Sequence, residues 1–178
     1  ESDLNGQLKV TAEYNGKISE KIINIVIKAP SLNTIAYNGQ LYELVDNIDP
    51  NWLCAQKEIT EEGQNTFWYE LPLKNGETLI TEKTIGLHKI SEISINSVDP
   101  NVTQLGDNFL HHIFVKSINF SFLSHIDTLG DEFLGNYECL TINLKPLTSL
   151  KIIGSNFLVG GNSLTSIDLS FLSTVESI

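Results

Sequence analysis

The sequence predicts a β-dominated solenoid, a stack of short parallel strands and helical or 3-10 turns, behind a small N-terminal part rich in β-hairpins. Three observations predict it: a hexapeptide that returns every 24 residues, an apolar ladder after each copy, and three Asn-Gly pairs that each separate two β-forming segments upstream. The copies are Leu105-Gly-Asp-Asn-Phe-Leu110, Leu129-Gly-Asp-Glu-Phe-Leu134 and Ile153-Gly-Ser-Asn-Phe-Leu158. Their ladders are Val115-Lys-Ser-Ile118-Asn-Phe120, Leu140-Thr-Ile142-Asn-Leu144 and Leu164-Thr-Ser-Ile167-Asp-Leu169. The middle ladder is one residue short between Leu140 and Ile142.

In L-x-x-I-x-L the last two apolar positions alternate at the period of a strand, so one side faces the core and the residues between face outward. A single unit cannot bury its own apolar edge, and neighbouring units must stack into a parallel sheet. A period between 20 and 29 with this pattern is the leucine-rich-repeat signature. A degenerate copy, Ile90-Ser-Glu-Ile93-Ser-Ile95, extends the array upstream. Four repeats are expected at about 80–104, 105–128, 129–152 and 153–177, with an uncapped end that frays or pairs end to end at Ser163–Ile178. The motif glycine is expected to permit a turn, and the Phe-Leu pair to pack from a short helical or 3-10 turn. Phe109, Phe133 and Phe157 should form one buried stack, and Leu110, Leu134 and Leu158 another.

The pattern from Ile153 to Ile178 resembles the BspA-type (Treponema-type) leucine-rich repeats of bacterial and protist surface proteins. Phe157-Leu158 stands where that family has Ala-Phe, and Cys139 directly precedes Leu140 rather than lying further upstream. The resemblance covers 80–178 and implies a cell-surface or secreted interaction protein rather than an enzyme.

Upstream, Asn-Gly stands between segments rich in β-formers at 15–16, 38–39 and 75–76. Asn-Gly suits a type I′ turn, whose two central residues both need positive φ. Leu8, Val10, Ala12 and Tyr14 alternate before the first pair, Ile23, Ile25 and Ile27 after it, and Pro30 ends the hairpin. Residues 1–30 thus read as a β-hairpin closing an upstream β-domain; 6–30 resembles the closing hairpin of β-domains in mycoplasma-type surface lipoproteins. Residues 31–79 read as the β-rich N-terminal cap of the array, with Trp52 and Trp68 as its core.

The chain has 11 lysines, no arginine and 22 acidic residues, for a formal charge of −11. The acids are spread evenly, so no basic patch exists for a phosphate backbone, and nucleic acid is excluded as a partner. The longest apolar run, Ile22–Ile27, is interrupted by Asn24, so this segment has no membrane span and an anchor would lie outside it. A chain without methionine that opens at Glu1 is expected to be a mature form or part of something longer. Cys54 and Cys139 read either as two buried thiols or as a disulfide.

No catalytic constellation, metal site or cofactor is assigned. His111-His112 reads as a surface pair whose side chains diverge, and His88 and His125 lack a ligand set. Asp46–Asn51 lacks the glycine and distal glutamate of a calcium loop. The outward residues of the expected sheet, Glu92, Ser94, Lys116, Asn119, Asn143, Ser166 and Asp168, are the candidate ligand-binding strip. The expected function is an extracellular, surface-anchored bacterial interaction or adhesion module that binds protein or glycan on a host or neighbouring cell. The alternatives are a structural spacer or antigenic coat and, remotely, an enzyme.

Overall fold

The computed structural model describes residues 4–27, 32–83 and 89–178; His88 lies outside them. The chain divides into two compact units, 1–31 and 32–178.

The first unit is one antiparallel ribbon, β1 (Leu4–Tyr14) on β2 (Lys17–Ile27), in register from Leu4 opposite Ile27 to Tyr14 opposite Lys17. Asn15 and Gly16 have φ of 50° and 72°, the geometry that their side chains tolerate and the strand twist requires. One face carries the alternating Leu8, Val10, Ala12 and Tyr14, with Ile23, Lys21, Ser19 and Lys17 opposite them. On the other, Gln7 donates to Asn24 across the strands and Lys9 pairs with Glu20 at 2.8 Å.

The second unit begins with β3 (Thr34–Tyr37) and β4 (Gln40–Glu43), again joined by Asn-Gly with positive φ at both residues. A 3-10 turn (Pro50–Leu53) leads to β5 (Gln56–Ile59), β6 (Asn65–Trp68), β7 (Glu70–Pro72) and β8 (Thr78–Ile80). The third Asn-Gly behaves differently. Only Gly76 has positive φ, and its N–H donates to Leu73, whose own N–H donates to Glu77 and closes the five-residue connection between β7 and β8. The core here is Leu44, Ile48, Leu53, Phe67, Tyr69 and Leu71. The expectation of a tryptophan core is corrected: Trp52 is exposed, and Trp68 lies half-buried beneath the Lys83 ammonium while its indole donates to Glu70. An indole can shed apolar area only where its N–H finds a partner, and the partners are at the surface.

The remaining strands are β9 (Ile90–Ser94), β10 (Gln104–Leu105), β11 (Ser117–Asn119), β12 (Thr128–Leu129), β13 (Thr141–Asn143) and β14 (Ile152–Ile153). The fold is β-dominated, but the leucine-rich-repeat solenoid is corrected: the described strands form six separate sheets of two or three strands, not one continuous parallel sheet. The expected first repeat, 80–104, fails because β9 pairs antiparallel with β3. Buried Asn33 draws it there by donating to Val45 and Ser97 and accepting from the N–H groups of Asn96 and Ser97. Residues 164–169 contribute no strand. Ile142 follows Ile118 by 24 residues and Ile167 follows Ile142 by 25, and a one-residue slip turns a strand's apolar set to the wrong face.

Among the described strands, parallel pairing joins β10-β12-β14 and β11-β13, each at an offset of 24; elsewhere it is limited to isolated bridges. In that register Cys139, not Leu140, occupies the place of Val115. Cys139 is buried and Leu140 exposed, so the ladder that looked one residue short is complete. Phe109 and Phe133 stack at 5.3 Å and 7°, and Phe133 and Phe157 at 5.4 Å and 14°. Leu110, Leu134 and Leu158 all have positive φ, 48° to 58°, a conformation that costs about 1–2 kcal/mol per residue and is held here by backbone bonds, the Leu110 N–H donating to Leu53. The Leu134 N–H donates to Phe109, and the Leu158 N–H to Phe133. Two 3-10 turns follow the ladders, at Ser121–Leu123 and Ser170–Thr174, rather than carrying the Phe-Leu pairs of the hexapeptide.

The motif glycine also has a different task. Gly106, Gly130 and Gly154 lie outside the positive-φ set. A Cβ on Gly130 would stand 2.6 Å from the carbonyl carbon of Gly106, and one on Gly154 2.6 Å from that of Gly130. At 130 and 154, glycine is needed for the close approach of one copy of the hexapeptide to the next. Beside it, Asp107 accepts from the Asp131 N–H at 2.9 Å, and Asp131 from the Ser155 N–H at 2.7 Å. At the end of the chain Phe171 is buried and Ile152 bridges Ser177 in parallel, while Ile178 is exposed. Both cysteines are free thiols; burial pushes Cys54 up to about 12 and also raises Cys139.

Candidate functional site

The expected binding strip is dispersed. Glu92 and Ser94 lie on β9, opposite Ala36 and Thr34, in a different sheet from Asn119 and Asn143, which face each other across β11 and β13. Lys116 is exposed just before β11, and Ser166 is exposed outside any strand. Three of these residues have turn-forming work. The side-chain oxygens of Asn119, Asn143 and Asp168 accept from the backbone N–H two residues on, in Ser121, Lys145 and Ser170. Such local bonds are the reason Asn and Asp start turns. Asp168 also pairs with Lys145 at 3.0 Å. The Ser170 N–H and then Lys145 hold its carboxyl down to about 2.

The residues that do converge are His111, His112 and Glu132, so the diverging surface pair is corrected. Asn108, Leu110 and His112 have φ of 61°, 48° and 56°. Alternate left-handed residues fold the segment so that neighbouring side chains no longer point to opposite sides as on a strand. Leu110 is buried in the core, and both imidazoles pack on Phe67, with centroids at 4.2 Å and 4.6 Å, and meet edge to face at 4.3 Å. His111 is only 1% exposed. Gly135 leaves room for it, since a Cβ there would lie 2.1 Å from the ring. The Tyr69 hydroxyl donates to the His111 carbonyl at 2.7 Å, fixing the segment to β6–β7.

Glu132 completes the arrangement. Its carboxylate lies 3.1 Å from His111 Nε2 and 3.6 Å from Lys57 Nζ, and Lys57 stands 5.6 Å above the Phe67 ring. The positions equivalent to Glu132, one repeat away on either side, are Asn108 and Asn156, and all three have φ near 60°. Asn adopts that conformation more readily than Glu. The glutamate therefore keeps a strained backbone and gains an imidazole and an ammonium as partners. A local rule broken with an evident compensation marks a candidate site.

These groups line a cleft of about 480 Å³ whose wall passes from Phe67 and the imidazoles to the amides of Gln64, Asn65, Asn136 and Asn156. Clefts of about 520 Å³ at Leu41–Tyr42 and about 540 Å³ at His125 lack paired imidazoles beside an ion-paired carboxylate. The lining holds no hydroxyl or thiol, and among the described residues no three His, Cys, Asp or Glu side chains are placed to hold a metal. What the cleft offers is a dense set of planar amide donors and acceptors around one carboxylate. The signal in the sequence was comparative: His111 against Gly135 and Val159, and Glu132 against two asparagines.

Burial lowers the His112 pKa from 6.5, with the nearby Glu132 charge opposing the shift. A base whose folded pKa is lowered takes its proton more readily when unfolded, so the folded state loses stability as pH falls below 6.5. In urea titrations, His112→Asn is expected to reduce this acid loss, Asn being the residue at the equivalent position 136. An unchanged pH profile would contradict it. Comparisons with family models, with curated proteins and with solved structures find no match to this chain.

Proposed function

We propose that this chain is a binding module of a cell-surface or extracellular protein, and that the cleft beside His112 and Glu132 takes a neutral, polyhydroxylated ligand, the glycan of a host or neighbouring cell. The observation that carries the reading is the convergence of four amide side chains and a carboxylate on one cleft. Amides and carboxylates donate to and accept from adjacent hydroxyls in the plane that a sugar presents. A formal charge of −11 disfavours sulfated or phosphorylated polymers.

A second reading, a surface coat or spacer without a dedicated ligand, is favoured by the turn-forming roles of Asn119, Asn143 and Asp168. An array of neutral glycans separates the two. The native chain is expected to bind a defined subset, and Asn136→Gly, which suits the positive φ there, to weaken that binding about tenfold, the worth of one good hydrogen bond. Asn143→Gly should leave it unchanged. Silence across the array, or full binding by Asn136→Gly, would overturn the cleft as the site.

A further inference from the structure

We propose that the N-terminal ribbon is a self-association element, in which β1 of one copy pairs antiparallel, edge to edge, with β1 of a second copy about Thr11. The ribbon is a two-stranded sheet in which β1 has β2 as its one neighbour. Its described apolar residues are exposed: Leu8 is 48%, Val10 44% and Tyr14 80% accessible. Two strands alone are marginal in water, and an edge of unpaired N–H and C=O groups is a template for another strand.

The hairpin fixes which groups are free. Tyr14 and Lys17 flank a two-residue turn and are a hydrogen-bonded pair, so Tyr14, Ala12, Val10 and Leu8 spend their backbone groups on β2. Gln7, Lys9, Thr11 and Glu13 therefore turn theirs outward. The side chains on that edge choose both the partner and the register. Lys9 and Glu13 stand symmetrically about Thr11, so a second copy placed on a two-fold axis there sets Lys9 opposite its Glu13 and Glu13 opposite its Lys9. Among the described residues Glu13 has no ion pair, and Lys9 already leans on Glu20 of its own ribbon at 2.8 Å. In the pair, Lys9 would stand between two carboxylates. Sliding by one repeat of the ladder leaves both charges facing neutral residues, and sliding by two sets Lys9 on Lys9 or Glu13 on Glu13. Only the register about Thr11 is complementary. It also sets Leu8 beside Tyr14 and Val10 beside Ala12 of the second copy, so that the apolar residues of the two central strands meet on one face of a four-stranded sheet.

Sedimentation equilibrium of the full chain tests this. The native chain is expected to dimerise in the micromolar range. Glu13→Lys should weaken the dimer at least tenfold, and Lys9→Glu with Glu13→Lys should restore it. Thr11→Pro, which removes an outward N–H and no bond within the ribbon, should leave a monomer with an unchanged circular dichroism spectrum. A native chain that stays monomeric, Glu13→Lys without effect, a double exchange that fails to recover the dimer, or a dimer that survives Thr11→Pro would each overturn the proposal.

Discussion

Phe133→Ala is expected to cost about 3–5 kcal/mol, the range for removing a fully buried aromatic ring. The ring is 1% exposed, lies between Phe109 and Phe157 in near-parallel stacks, and meets Phe120 at 5.6 Å. Phe109 and Phe157 are kept from collapsing into the space by backbone bonds that hold the three hexapeptide copies in register. Leu134 donates to the Phe109 carbonyl and Leu158 to that of Phe133. A loss of this size is a large part of a domain's stability. Tryptophan fluorescence in urea reads it, since Trp52 and Trp68 both lie in the second unit. Phe114→Ala is the matching control: Phe114 is 52% exposed, and its removal should change stability by no more than about 0.5 kcal/mol. Equal losses in the two variants would contradict the phenylalanine stack as the centre of the core.

Gly130→Ala is expected to cost about 3 kcal/mol, at the upper end of the range for overpacking. The new methyl would meet backbone, the carbonyl carbon of Gly106 at 2.6 Å and the Asp107 nitrogen at 2.7 Å, and backbone cannot swing aside as a side chain can. Relieving the clash means parting the 106–108 and 130–131 segments, and this breaks the bonds that run beside the glycine. These are the Asp131 N–H to the Asp107 carboxylate and the Asn108 N–H to the Asp131 carbonyl, each 2.9 Å. The same motif supplies its own control. At Gly106 a Cβ would find only Asn51 Oδ1 at 3.5 Å and Cys54 Sγ at 3.7 Å, ordinary contacts, so Gly106→Ala should be tolerated within about 1 kcal/mol. Similar melting curves for the two variants would show that close approach is not what the glycine serves.

Those two glycines also show how far the sequence could be read. The hexapeptide repeat was legible because packing at a fixed offset demands the same residue types at each copy, and the paired Phe109 and Phe133 answer to it. The glycine's purpose was not legible, since a turn and a close approach leave the same letter. The single continuous sheet was expected because periodicity reports which residues face inward, not which strand lies alongside. β9 carries the ladder pattern and is claimed by β3 through the Asn33 clamp. Cys139 was passed over because Leu140 looks more like a ladder residue, yet register decides the matter. The hairpins at Asn15-Gly16 and Asn38-Gly39 were the most readable elements, their turn chemistry being local.

The site was the least legible part. His111 and His112 seemed to diverge because adjacent residues on a strand do, and left-handed backbone at Leu110 and His112 removes that premise. Asn119, Asn143 and Asp168 looked like a displayed ladder, but each accepts from the backbone two residues on. Repetition alone does not separate a residue kept for display from one kept for a turn. The more informative positions are those where one copy departs from the others, as Glu132 departs from Asn108 and Asn156.

The measurement that tests the central claim most directly is a titration of the labelled chain with the strongest-binding neutral glycan, followed through the side-chain amide resonances of asparagine and glutamine. The cleft as ligand site predicts saturable shifts at Gln64, Asn65, Asn136 and Asn156, with Asn119 and Asn143 unmoved. Shifts confined to Asn119 and Asn143, or to the ribbon amides of Gln7 and Asn24, would contradict it.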